Sequence, residues 1–330
     1  TENEWISRMA RRLLTERFAP KERPQEVFAL ESSFMGVMAS PEASLPQKMR
    51  ALWAMRCIEH PHRMDVHLMT DVIAAEPALA PWCADRWLGA WHRLPAPPPE
   101  VERTRLGLHT LAEWVIAPAR SAANSKIGLR WTYGGFGTPF FQVDGADRQV
   151  RIEGDELVVD HVDAVRRSPL TTLSSAAEAA GADLGTDKAY PPVTTPDEDA
   201  PSLVEAVAVS FYADWFGFAT SVLEQLRCEA GPDDDVSRVQ LWPEHFDLAF
   251  EQGPEREGRR AGFGCSPGDS DHPLPYAYVT QWTEVADDPY WSATSFRGAE
   301  LEWHAIVDAP DQRGAVLDFF RHGRALLRRR

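Results

Sequence analysis

QLWPEHFDLAFEQ (residues 240–252), a charged turn from Gly253 to Arg260, and AGFGCSPGDSDHPLPYAYVTQW (261–282) form the stretch around which the chain is organised. Polar and apolar residues alternate on either side of dense Gly/Pro punctuation, the pattern of antiparallel strands joined by loops. A third segment, ELEWHAIV (300–307), alternates in the same way. Successive side chains on a strand point to opposite faces. An extended 241–250 therefore puts His245 and Asp247 on one face, with Glu244, Phe246 and Leu248 on the other. An extended third segment puts Glu300, Glu302 and His304 together, opposite Leu301, Trp303 and Ala305.

Two histidines with one carboxylate suit iron and related divalent ions. His245, Asp247 and His304 are thus the candidate metal ligands, with iron or zinc as the candidate ion. His272, in the loop DSDHP, together with Asp269 and Glu302, makes up the candidate ligand-binding set. The alternative is structural: one side of an antiparallel sheet meets water and is polar for that reason. His-x-Asp is also short enough to recur by chance.

Gly264-Cys265-Ser266-Pro267-Gly268 matches G-x-S-x-G, the nucleophile elbow of α/β-hydrolases. That motif requires a helix directly after the serine. PGDSDHPLP follows instead, and its prolines and glycines interrupt any helix. Ser266 is therefore not read as a nucleophile, and Cys265 reads as a small, part-buried residue.

A length of 330 residues leads to about two domains. The apolar fraction of 44% and charged fraction of 25% are those of an ordinary soluble protein. A formal net charge of −16 argues against general nucleic-acid binding, which needs a basic face to displace counterions from phosphate. Cys57, Cys83, Cys228 and Cys265 show neither zinc-site nor disulfide spacing, which points to a reducing cytoplasm. No signal peptide or membrane-spanning run is read, so neither a membrane nor a nucleic acid is the expected partner. A small-molecule ligand is. The oligomeric state is not legible.

Residues 1–94 read as a helical domain, with apolar residues at helical spacing between prolines. Within it, EHPHRMDVHLMTD (59–71) crowds His60, His62, Asp65, His67 and Asp71 together, as proline-broken polar junctions also do. PAPPPE (95–100) is the proline linker, and 101–330 is the larger domain carrying the candidate site. There a helix is expected over 101–123. Its His109 and Glu113, four residues apart, read chiefly as an exposed polar pair. Strands are expected over about 127–165 and 238–307, with YGGFGTPF (133–140) as a hairpin or bulged loop. A short helix over 172–180 is expected to open on a Ser175–Glu178 capping box and to close at Gly181. A deeply packed helix follows over 202–230, opened by a Ser202–Glu205 box, and the last helix covers 313–327.

Taken together, Trp242–Asp247 (W-P-x-H-F-D), Gly264–Asp269 (G-x-S-P-G-D) and His272–Tyr276 (H-P-x-P-Y) resemble a family of actinobacterial proteins of unassigned activity. The resemblance covers about residues 100–325. It implies a coherent domain and carries no reaction.

The expected fold is α+β: a helical N-terminal domain, then a mixed domain with an antiparallel sheet packed on helices. Two functions stay open. One is an enzyme acting on a small molecule with a divalent metal at His245, Asp247 and His304. The other is a non-catalytic module binding a ligand or a protein partner through the same face. The enzyme needs these groups to converge in a pocket, whereas the module spreads them over an open surface.

Overall fold

A computed structural model of the chain describes residues 92–328, apart from 162–163, 186–189, 232 and 285–286, together with residues 36 and 40. The helical domain expected before residue 92, with its histidine-rich junction at 59–71, lies outside the described residues. The chain divides into two units, Thr1–His92 and Arg93–Arg330. The second holds an α+β fold with antiparallel sheets.

Leu94 and Arg93 pin the start of the proline segment. The Leu94 amide donates to Gln312 Oε1 (2.9 Å), and the Arg93 guanidinium donates to the Val307 carbonyl (2.6 Å). Helix α1 (Val101–Leu111) runs through a π-helical turn, Ala112–Ile116, into α2 (Ala117–Asn124). The sequence reading took this stretch as one regular helix; Pro118 helps explain the difference. It has no N–H to give the carbonyl of Trp114, four residues back. That carbonyl accepts instead from Gly185 N (3.3 Å). Such π-turns are costly and concentrate at functional sites.

Six strands follow: β1 (Arg130–Thr132), β2 (Gly135–Gly137), β3 (Phe141–Val143), β4 (Ala146–Glu153), β5 (Glu156–His161) and β6 (Ala164–Pro169). They form one antiparallel sheet in the order β1-β2-β4-β5-β6, with β3 also paired to β4. YGGFGTPF supplies the β1–β2 hairpin, whose turn Gly134 takes at φ +74°. After α3 (Leu173–Ala180) and α4 (Ala206–Cys228), a second sheet is built from β7 (Gln240–Trp242), β8 (Asp247–Gln252), β9 (Ala261–Ser266), β10 (Tyr276–Gln281) and β11 (Gly298–Glu302). Its order is β11-β10-β9-β8-β7, so neighbours in the chain are neighbours in space. Reciprocal bonds between Leu129 and Leu241 (2.7 and 2.9 Å) join the two sheets at the β1 and β7 edges.

α4 packs on both sheets. Its Tyr212, Trp215, Phe216, Phe218, Val222 and Leu226 are almost wholly buried, as the helical spacing requires. By length and composition Ala206–Arg227 is apolar enough to cross a membrane, more so than the sequence reading allowed. Its apolar residues are largely the core of this fold, although Val207 near its start is exposed. The helix opens later than expected, at Ala206. Glu205 is its uncapped N-terminal neighbour, and Ser202 accepts only from Val204 N (3.3 Å). The α3 cap is a box, but Thr172 and Ser175 form it rather than Ser175 and Glu178. The last helices are α5 (Trp303–Val307) and α6 (Gln312–Arg328). Arg324 on α6 donates to Glu229 (2.7 Å), and Arg328 pairs with the buried Asp234.

Two expected strands are not continuous. The first breaks at residues 243–246, which form a turn between β7 and β8. The second ends at Glu302, and His304 lies on helix α5. Neither His-x-Asp nor Glu-x-His is therefore a strand pair sharing a face.

Candidate functional site

α1 and the π-turn carry Arg105, His109 and Glu113 at four-residue intervals, so the three stack along one side of the helix. They are buried rather than exposed, at 6%, 8% and 0% of their surface, which overturns the reading of His109 and Glu113 as a surface pair. Glu113 accepts three bonds from a segment after α3: Val193 N (2.9 Å), Thr194 N (2.8 Å) and Thr194 Oγ1 (2.6 Å). Trp114 Nε1 adds a fourth tie, donating to Thr194 Oγ1 (2.9 Å). The buried carboxylate thus replaces its lost water with three donors. His109 Nε2 stands 4.0 Å from Glu113 Oε2, too far for a hydrogen bond, and has no other partner among the described residues. Burial pushes the His109 imidazole below its usual range. Glu113 pulls it the other way, and Arg105 and His245 add to the lowering. Its neutral form is favoured.

The turn WPEHFD faces this helix. Pro243 presets the first bend, and the Trp242 carbonyl accepts from His245 N (3.3 Å) and Phe246 N (2.7 Å), closing one helical turn. Phe246 ends it in the left-handed region at φ +53°, costing a residue with a Cβ about 1–2 kcal/mol. Burial of its ring offsets that cost. The ring lies edge-on to Phe136 (5.1 Å) and Phe216 (5.4 Å) and stacks on the His109 imidazole at 5.4 Å. Driving Phe246 into the core leaves His245 exposed and carries Asp247 inward.

Asp247 is 5% exposed. Its Oδ2 accepts from the Tyr278 hydroxyl, while Oδ1 has no partner among the described residues. Burial raises the carboxyl to about 6, against the opposing pull of Tyr278 and His245 and with a further push from Glu244. Burial and Asp247 likewise raise the Tyr278 hydroxyl, and burial raises the Cys265 thiol. Gly264 allows the arrangement. A Cβ there would lie 2.7 Å from Tyr278 Cε1 and nearer still to Cζ, so only a glycine lets this ring lie over β9. Glu244 Oε2 and the Tyr190 hydroxyl are also inaccessible and unpartnered among the described residues. Burial raises the Tyr190 hydroxyl, as do Glu113 and Glu244, so these groups lie within electrostatic reach of one another.

The loop after β9 closes the other side. Arg105 donates to the carbonyls of Gly268 (3.1 Å) and Asp269 (3.1 Å). Asp269 accepts from Asp271 N, His272 N (2.8 Å each) and the Tyr276 hydroxyl (2.6 Å). Burial pushes the Asp269 carboxyl up, but these donors outweigh it and leave it below the usual range. The His272 ring lies between Asp269 Oδ1 and Glu300 Oε2, 3.2 Å from each, and against Tyr276 at 4.3 Å. Ser266 closes β9 and its hydroxyl accepts from Gly268 N (3.1 Å); no helix follows, so the chain builds no nucleophile elbow.

The candidate residues thus divide. His245 and Asp247 remain neighbours, and Asp269 and His272 form a second pair, whose Asp269 carbonyl accepts from Arg105. Glu302 and His304 are exposed at the end of β11 and the start of α5. Among the described residues no group of three His, Cys, Asp or Glu side chains is arranged to hold a metal, so His245, Asp247 and His304 do not form the expected ligand set. The sequence reading left out Arg105, Tyr190, Tyr276 and Tyr278 and undervalued Glu113. The four-residue ladder along α1 and the glycines facing β10 were the available signals. Compared with known family models, curated proteins and solved structures, the chain matches none.

Proposed function

We propose that the chain is an enzyme that moves a proton on a small polar molecule bound among His109, Glu244, Asp247 and Tyr278. Asp247 is its general acid–base. One observation carries the reading: Asp247 is buried, bonded through one oxygen to Tyr278, without a partner at the other among the described residues, and raised to about 6. Such a carboxyl exchanges its proton near neutral pH, where an ordinary aspartate is only a base. Tyr278 orients it, and Phe246 fixes the turn that carries it. The concealment of these groups favours a small molecule over a protein partner, since a docking face presents its polar groups at the surface.

The test is to incubate the protein in D2O with a mixture of small polar metabolites and follow them by NMR. The wild type should introduce deuterium into, or convert, at least one component, and Asp247→Asn should leave that component untouched. Equal conversion by both proteins, or none by either across the mixture, refutes the reading.

A further inference from the structure

Strands β4, β5 and β6 carry arginines on both faces, and only one face supplies them with carboxylates. By register, Arg151, Glu153, Glu156, Asp160 and Arg167 share that face. Arg167 pairs there with Glu153 (2.8 Å) and Glu156 (2.9 Å), and Arg151 with Glu153 (3.2 Å) and Asp160 (3.8 Å). On the other face Arg148 of β4 stands directly opposite His161 of β5, which stands directly opposite Ala164 of β6. Arg166, two residues beyond Ala164, is the diagonal neighbour of His161 on that same face. Directly opposed Cβ atoms lie about 5 Å apart and diagonal neighbours about 7–8 Å, within reach of long side chains. Among the described residues no carboxylate forms an ion pair with Arg148, His161 or Arg166. Arg148 gives an N–H to the Ala180 carbonyl at the end of α3, and its inaccessible Nε has no partner among the described residues. Arg166 is exposed. Burial lowers both Arg148 and His161, and Arg166 lowers each further; Arg148 also lowers His161, while Asp160 pulls it the other way. Like charges placed together on a sheet oppose one another, yet in a chain of net charge −16 this face gathers them.

We infer that Arg148, His161 and Arg166 bind a phosphoryl group, as free phosphate or as a small phosphate monoester. A guanidinium presents its donors in a planar fork that matches phosphate oxygens, and charge-assisted bonds of this kind are the strong ones. One fork satisfies a carboxylate, with its two oxygens and single charge. Two forks and an imidazole, brought from adjacent strands, call for more oxygens and more charge, which a phosphoryl group supplies. Arg148 Nε and the Arg166 fork are the donors that such a group would meet. The inference uses no residue of the proposed acid–base site and stands independently of it.

Calorimetric titration of the full chain at fixed ionic strength tests it, with inorganic phosphate, glycerol 3-phosphate and acetate as probes. At least one of the phosphates should bind saturably, and the tighter of the two tells free phosphate from a monoester. Acetate should bind at least tenfold more weakly. Arg166→Gln and His161→Gln, which alter an exposed and a half-buried side chain, should each weaken phosphate binding at least fivefold, and the double variant should abolish it. Arg167→Gln removes the same charge from the next residue, on the opposite face, and should leave binding within twofold of wild type. No saturable binding of either phosphate would overturn the inference. So would acetate binding as tight as phosphate, phosphate binding that survives the double variant, or a loss in Arg167→Gln as large as in Arg166→Gln.

Discussion

Asp247→Asn should make the protein more stable at neutral pH, and the size of the gain can be worked from the burial of this one carboxyl. Its proton is held from a usual 3.8 up to about 6. At about 1.4 kcal/mol per pH unit, that corresponds to roughly 3 kcal/mol of differential interaction between the two protonation states. The sign follows from which state binds the proton more tightly. Between pH 3.8 and 6 the folded chain keeps a proton that the unfolded chain has released, so stability falls as pH rises through this window. Above it the full penalty persists; below it the penalty vanishes. Asparagine is nearly isosteric, accepts from Tyr278 and carries no charge. Urea denaturation of both proteins should therefore give stabilities within about 0.5 kcal/mol of each other at pH 4 and a variant more stable by about 2–3 kcal/mol at pH 8. Subtracting wild type from variant cancels the titration of the other acids. A difference independent of pH, or a variant less stable at pH 8 than at pH 4 relative to wild type, would refute the account of Asp247 as a carboxyl whose charge the fold opposes.

Gly264→Ala should cost about 1–3 kcal/mol in urea denaturation, because its Cβ forces the Tyr278 ring off β9 and away from Asp247; an unchanged midpoint would mean that the ring shifts freely. Glu113→Gln turns an amide N–H2 toward donors that now meet a carboxylate, and should cost about 1–3 kcal/mol. Hydrogen exchange of the Val193 and Thr194 amides should then speed up, and unaltered exchange there would show that Glu113 does not hold this segment. A fragment of residues 93–330 should unfold cooperatively by calorimetry, since the division at His92/Arg93 leaves both sheets and α4 in one unit; an insoluble or non-cooperative product would count against that independence.

The elements of this fold that depend on local pattern were legible. The spacing of Phe211, Trp215, Phe218, Val222 and Leu226 gave α4, and alternation with Gly-rich turns gave the antiparallel strands. The start of α4 and the capping pair of α3 were not, because hydroxyl-rich segments offer several chemically equivalent caps, and distant contacts decide among them. Ser202 precedes a stretch whose Glu205 amide donates to Thr104 Oγ1 (3.2 Å) on α1, so the chain stays extended until Ala206. The π-turn depends on Pro118 and on Gly185, far along the chain, and no periodicity reveals that pairing.

The site was half legible, and Phe246 explains which half. Local alternation makes Phe246 the inward partner of Leu248 and leaves His245 and Asp247 on one polar face. In the fold, the turn at 243–246 reverses that assignment for Asp247. The aromatic pocket made by Phe136, Phe216 and His109 draws in the Phe246 ring from a left-handed backbone position, which a short alternation rule cannot anticipate. The rule therefore singled out this buried carboxylate for the wrong reason. Asp247 matters not as a strand partner of His245 but because the next residue back is anchored so firmly that the carboxyl has nowhere to go but inward. The same displacement explains the neutral histidine: His109 packs against Phe246, loses water, and is left with one nitrogen that nothing in the described chain satisfies. A single aromatic residue in a left-handed backbone position thus packs against His109 and turns Asp247 inward, two of the four groups of the proposed site.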